Sequence, residues 1–208
     1  MTAKHDEKIT LPDGSEYIGE VRNGKPHGRG VLTSPDGSTY EGDFVKGEKT
    51  GKAIGIESDG TTYEGDFKKG VYHGKGKMVA PNGGIYEGDY KEGQSHGKGK
   101  IIFDDGLTTY EGDFVNDEEH GTGIFTFEDG TVYEGDFKEA KFHGKGKITY
   151  PDGTIYEGKF KDDFYDGKGK KTYPDGSTHE EDFKEDLFHE SKKLPFRIRA
   201  KVWGPDKD

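Results

Sequence analysis

Along residues 133–150 the chain alternates between two kinds of position. Tyr133, Gly135 and Phe137 fall on one parity, with Glu134, Asp136 and Lys138 on the other. After a short break, Gly144, Gly146, Ile148 and Tyr150 alternate with Lys145, Lys147 and Thr149. A period of two with one ring-bearing and one charged side predicts two half-buried strands. The break, Glu139-Ala140-Lys141-Phe142, reads as the bridge between them. Pro151-Asp152-Gly153 then predicts a turn. Proline presets a negative φ, aspartate bonds nearby backbone, and glycine accepts the positive φ that closes the turn.

The same pattern runs along nearly the whole protein. Tyr17, Tyr40, Tyr63, Tyr86, Tyr110, Tyr133 and Tyr156 recur at steps of 23 residues, with one step of 24. A glycine stands two residues after each, and a glutamate lies between in every case but the first, where Ile18 takes its place. Asp-Gly pairs recur at Asp13, Asp36, Asp59, Asp105, Asp129, Asp152 and Asp175, and Asn82-Gly83 serves the same purpose in the remaining unit. A fixed period of this length predicts a repeat architecture. The expected fold is all-β: an elongated, single-layer antiparallel β-meander solenoid with about two strands per 23-residue repeat. At about 4.8 Å per strand, fourteen strands would span roughly 65 to 70 Å.

Residues 1–7 read as a flexible N-terminus, 8–190 as the repeat array with partial capping units at both ends, and 191–208 as a basic tail. The eighth unit departs from the pattern, because His179 replaces tyrosine, Glu181 replaces glycine, and Asp186 to Glu190 replaces the glycine-rich turn. In the tail, Phe196, Ile198, Ala200 and Val202 alternate with Arg197, Arg199, Lys201 and Trp203, after Lys192 and Lys193. Lys192, Lys193, Phe196, Arg197, Ile198, Arg199, Lys201 and Trp203 are therefore candidates for an anchor to a partner, the other reading being a strand that caps the array.

The repeating unit, Tyr-Glu-Gly-Asp-Phe followed by His-Gly-Lys-Gly and Asp-Gly, resembles the MORN (membrane occupation and recognition nexus) repeat family over about residues 9 to 190. The resemblance implies an interaction scaffold and not an enzyme. Short, nearly pure proteins of this kind are similar to radial spoke head and other axonemal proteins, so a ciliary or flagellar complex of the cytoskeleton is the expected setting. The alternatives it implies are a membrane-to-cytoskeleton linker that binds phospholipid and an accessory subunit of a myosin tail or lipid kinase.

Composition alone would suggest disorder, since only 27% of residues are apolar, 35% are charged and the net charge is −11. The fixed positions of the 35 glycines argue against it. Rings and glycines must do the packing: Tyr110 and Phe114 are expected to lie across Gly121 and Gly123, with Glu111 and Asp113 meeting lysines on the opposite face. There is no cysteine, which removes disulfides, zinc-thiolate sites and a thiol nucleophile. The acidic balance disfavours nonspecific nucleic-acid binding and attachment to anionic lipid. With no apolar run of membrane-spanning length and no secretory-type start, an intracellular location is expected.

Candidate chemistry is sparse. His27, His73, His96, His120 and His143 recur before Gly-x-Gly, but strands two apart separate them by about 10 Å, too far to share one ion. Thr50 and Asp166 occupy the same position, so a turn role is expected and neither metal nor cofactor. Carboxylate pairs such as Glu64 with Asp66, or Glu157 with Asp163, recur in nearly every unit, whereas an active site is singular. The Gly-Lys-Gly-Lys runs lack a following Ser or Thr and a helix to make a phosphate loop. The aromatic ladder is the stronger candidate: Tyr40, Phe44, Tyr63, Phe67, Tyr86, Tyr90, Tyr110, Phe114, Tyr133, Phe137, Tyr156 and Phe160. Those rings either pack the strands together or present an exposed groove for a partner helix or extended peptide.

Overall fold

The computed structural model describes the backbone of residues 6–187 and the side chains of residues 6–183; the tail residues Lys192 to Trp203 lie outside them. All sixteen described elements are strands. They fall into two compact units that divide at residues 94 and 95. The first contains β1 (Glu7–Thr10), β2 (Glu16–Arg22), β3 (Lys25–Thr33), β4 (Thr39–Val45), β5 (Glu48–Ile56), β6 (Thr62–Lys68), β7 (Val71–Val79) and β8 (Ile85–Lys91). The second contains β9 (Gln94–Ile102), β10 (Thr109–Val115), β11 (Glu118–Thr126), β12 (Val132–Lys138), β13 (Lys141–Thr149), β14 (Ile155–Lys161), β15 (Phe164–Thr172) and β16 (Thr178–Leu187). Within each unit every strand pairs antiparallel with its sequence neighbours, the meander expected of two strands per repeat.

Two kinds of turn alternate. The long turns carry the Asp-Gly pairs. In one of them Gly153 N–H donates to the Tyr150 carbonyl at 2.9 Å, and Tyr150 N–H to the Thr154 carbonyl at 2.8 Å. Asp152 Oδ1 accepts the Thr154 N–H at 2.8 Å, and Gly153 takes a φ of +85°. The short turns have two residues, both in the left-handed region, which suits the twist of a tight hairpin. The expected bridge at residues 139–142 is thus corrected to Glu139 and Ala140 alone, with φ of +51° and +59°, while Lys141 and Phe142 already belong to β13. Each described short turn after the first reaches back to the preceding hairpin: Gly70 N–H donates to Lys49 O, Gly93 to Tyr72, Ala140 to Glu119 and Asp163 to Phe142, at 2.9 to 3.1 Å. Where an aspartate replaces the glycine it adds a bond, with Asp117 Oδ1 accepting Ser95 N–H at 2.7 Å and Asp163 Oδ1 accepting Phe142 N–H at 2.8 Å.

The step of 24 residues is absorbed in a long turn. Leu107 is the additional residue, and Asp105 Oδ1 accepts both Leu107 N–H at 2.8 Å and Thr108 N–H at 2.7 Å. The flanking strands keep their register.

The described hairpins closed by short turns also contain a bulge that the alternation conceals. On β12 and β13, Gly135 faces Gly146 but Asp136 faces His143, so Gly144 and Lys145 have no counterpart on β12. Gly144 sits at φ +59°, and Asp136 Oδ2 accepts the Lys145 N–H at 2.8 Å. Asp66 and Asp113 make the same bond to Lys75 and Thr122. A bulge needs a left-handed residue and a substitute acceptor, and His-Gly-Lys with the facing aspartate supplies both.

The core is built of rings laid over glycine. Tyr133 is fully buried, and a Cβ on Gly146 would come within 2.6 Å of its Cε2. Its hydroxyl donates to the Asp136 carbonyl at 2.7 Å and the His143 carbonyl at 3.3 Å, holding the bulge from the inside. Phe142 stacks on it at 3.8 Å, and Phe137 and Phe160 meet it edge-on at 5.2 and 5.0 Å. Tyr110 covers Gly123 as expected and Gly112 as well, but not the expected Gly121, whose Cβ would meet Asp113; Gly121 is the bulge glycine of its repeat.

Candidate functional site

The sheet of each unit has an inner face of rings and an outer face of charge, and the two differ in what they leave available. On the inner face Tyr40, Tyr63, Tyr110 and Tyr133 each meet the phenylalanine four residues on and the ring at the same position of the next repeat. Tyr40 contacts Phe44 at 5.0 Å and Phe67 at 4.9 Å; Tyr133 and Tyr156 repeat the arrangement in the second unit, where Phe183 of β16 closes the series at 5.4 Å. Such edge-to-face pairs contribute about 0.5–1.5 kcal/mol each beyond area burial.

The expectation of an exposed aromatic groove is corrected here. All twelve ladder rings, from Tyr40 to Phe160, are only 0 to 6% exposed. In three repeats a second ring, which the pattern of the first strand does not include, lies over the tyrosine. Tyr72 stacks on Tyr63 at 3.8 Å, Phe142 on Tyr133, and Tyr165 on Tyr156 at 3.9 Å, while Phe103 and Phe127 pack from the long turns. In the second repeat the position of the stacked ring is Lys49, whose ammonium lies 5.0 Å over Tyr40. Burial pushes the Lys49 pKa down, and it pushes the phenols of Tyr40 and Tyr156 up to about 12. A signal was present in sequence: Tyr72, Phe142 and Tyr165 all stand immediately before the His or Asp of the bulge.

The outer face carries ionic rows in register. Across the second unit, Lys100, Glu111, Ile124, Glu134, Lys147, Glu157, Lys170 and Glu180 stand opposite one another in turn. Across the first unit the row reads Lys8, Ile18, Val31, Glu41, Ile54, Glu64, Lys77 and Glu87. The expected pairing of Glu111 and Asp113 with lysines holds, with Lys100 at 3.6 Å and Lys98 at 2.7 Å. Burial tends to raise the Asp113 carboxyl, but the Lys98 ammonium and the Thr122 N–H outweigh it and leave the pKa lowered. Ion pairs this exposed are worth about 0–1 kcal/mol apiece. Ile18 and Ile54, each 49% exposed, and Val31 stand where other repeats carry charge.

The remaining candidates have structural roles. His73, His120 and His143 lie within strands opposite Asp66, Asp113 and Asp136, not in turns as expected. The backbone carbonyl of His143 accepts a tyrosine hydroxyl, and His120 Nδ1 faces the Glu139 N–H at 3.5 Å. Among the described residues no group of three or more His, Asp or Glu is placed to hold a metal ion. Asp66 caps a bulge, Glu157 stands in the outer row, and Asp163 ties a short turn to the hairpin before it. At the end of the array His179 Nε2 lies 2.9 Å from Glu181 Oε2, an exposed polar pair where the other repeats have tyrosine over glycine. β16 then runs on through Glu185 and Asp186 against β15 instead of turning. No described helix is long and apolar enough to cross a membrane.

Comparison with known proteins agrees with the repeat geometry. The model of the MORN repeat matches residues 17–39, 40–54, 63–85, 86–108, 110–132, 133–155 and 156–178. No curated protein matches the sequence. Among solved structures, the SAS-4 (dCPAP) TCP domain of Drosophila melanogaster, in complex with a proline-rich motif of Ana2 (dSTIL), is similar at 13% identity. That match covers 87% of this chain and 92% of that one, with a TM-score of 0.47. The G-box domain of the microcephaly protein CPAP is similar at 16% identity over 85% and 97% of the two chains, with a TM-score of 0.46. The TCP10 domain of Danio rerio CPAP, with a peptide of Danio rerio STIL, is similar at 15% identity over 88% and 97%, with a TM-score of 0.38.

Proposed function

Because the chain belongs to the MORN repeat family, we propose that it is a non-enzymatic scaffold that holds partner proteins at a spacing set by the repeat. The observation that carries this reading is the commitment of the conspicuous polar groups to the fold. The repeat tyrosine hydroxyl is spent on the bulge, and in three repeats Asp66, Asp113 or Asp136 is spent there as well. The ladder rings are filled by their own neighbours, so partners engage the outer face and the turns. On that face Ile18, Val31 and Ile54 interrupt the ionic row, and exposed apolar side chains grouped on one surface favour protein contact.

The finer reading is a subunit of a ciliary or flagellar axonemal complex of the radial-spoke type, supported by the similarity of short, nearly pure MORN proteins to spoke-head proteins. Tail residues Lys192 to Trp203 provide a second, basic attachment in this reading. Affinity purification from the native source tests it: recovery of axonemal proteins is expected, and recovery of a myosin tail or lipid kinase instead overturns it. Changing Ile18 and Ile54 to glutamate should remove those partners without unfolding the protein. Deleting residues 191–208 should weaken partner binding, and unchanged binding removes the tail from the scheme. Sedimentation with anionic vesicles at physiological salt should show no binding; binding would favour the membrane linker.

A further inference from the structure

The long turn at Asn82-Gly83 is the one of its kind built on an amide, where seven others carry Asp-Gly. Asparagine before glycine is chemically labile. The glycine nitrogen, once it gives up its proton, attacks the asparagine Cγ; the bond from Cγ to the amide nitrogen breaks, ammonia leaves, and a cyclic imide forms. Water then opens the imide at either carbonyl, giving aspartate or its β-linked isomer. The step needs an unshielded asparagine, a glycine nitrogen free to lose its proton, and a Cγ free to swing toward it. Asn82 is exposed, so water and base have access.

The folded turn withholds the other two conditions. Gly83 N–H donates to the Ala80 carbonyl at 2.9 Å, so the attacking nitrogen is engaged. Asn82 Oδ1 accepts the Gly84 N–H at 3.2 Å, which directs the amide group of the asparagine onward along the backbone. Ala80 N–H and the Gly84 carbonyl close the loop at 2.8 Å, and Gly83 is held at φ +93°. Reaction therefore requires the turn to open first, and a site that reacts only when open is slowed by the free energy of opening.

We infer that Asn82 is a latent deamidation site, locked by its own turn, and that the aspartate product refits the turn it came from. The sister turns show the fit: Asp59 Oδ1 accepts Thr61 N–H at 2.8 Å, and Asp152 Oδ1 accepts Thr154 N–H at 2.8 Å, both shorter than the amide bond at Asn82. A charged acceptor strengthens that bond. The β-linked isomer, by contrast, inserts a methylene into a loop closed by two backbone bonds, and fits neither.

The test is incubation of the full-length protein at mildly alkaline pH, folded and in concentrated urea, with peptide mapping by mass spectrometry. Deamidation at Asn82 should run at least about tenfold faster in urea, the factor that about 1.4 kcal/mol of opening free energy provides. Equal rates, or no reaction at Asn82 in urea, overturn the inference. Asn82→Asp should melt at or above the temperature of the parent protein; a lower midpoint overturns the claim that the product refits.

Discussion

Replacing Tyr133 with phenylalanine removes a single oxygen and isolates the hydroxyl from the ring. The ring can keep its stack on Phe142 and its edge contacts with Phe137 and Phe160, none of which involves the oxygen. What goes is a fully buried donor shared by the Asp136 and His143 carbonyls, the two residues that face each other where the ladder changes register. Removing a buried donor from acceptors that water cannot readily reach costs about 1–3 kcal/mol. Truncation to alanine would also empty the space over Gly135 and Gly146, and is expected to cost about 3–5 kcal/mol. Urea unfolding followed by circular dichroism measures both, and hydrogen exchange at Lys145, whose N–H is held by Asp136 Oδ2, reports whether the loss begins at the bulge. A Tyr133→Phe change costing under about 0.5 kcal/mol, outside the range above, would refute the hydroxyl clamp and leave the ring as the sole reason for the recurring tyrosine.

Three further outcomes are expected. Ala140→Gly should raise stability by about 0.5–1 kcal/mol in the same assay, because Ala140 holds φ +59° in a short turn that glycine adopts without a Cβ penalty. Lys159→Asp should also stabilise, by about 0.5–1 kcal/mol, since Lys159 stands opposite Lys145 where other repeats pair aspartate with lysine. Alkali should unfold the protein cooperatively. The phenol pKa values of Tyr40 and Tyr156 are raised by burial to about 12, so their contribution is complete below pH 10 and is lost as pH rises toward 12. Tyrosinate absorbance should therefore appear together with the loss of strand signal, and smooth titration of those phenols with the sheet intact would count against their burial.

The strands are legible in sequence because alternation and period are local, and because Asp-Gly carries its turn chemistry openly. The short turns at Glu139-Ala140 and Asp162-Asp163 are harder to read, since left-handed residues other than glycine show no local signature. Their backbone is stabilised by bonds to the preceding hairpin, 20 or so residues away, and no window of sequence contains both partners. The bulge hides for a related reason. His143-Gly144-Lys145 keeps the parity of a regular strand, and only its pairing to Asp136 shows that two residues are skipped. Ring burial escapes the pattern because Tyr63 and Tyr72 stand nine apart in sequence but stack face to face across one hairpin.

The two turn types also decide where the array tolerates a change of length. A short turn donates its amide to the hairpin before it, so an added residue there would break a contact between repeats. A long turn closes its backbone bonds within itself, and at Leu107 it has taken in an extra residue while the strands on either side hold their register. Length is therefore adjustable at every second turn and fixed at the others. Insertions, tags or recognition loops belong at Asp-Gly, and whole repeats can be exchanged by cutting there, with the stitched hairpins kept intact as the units of exchange.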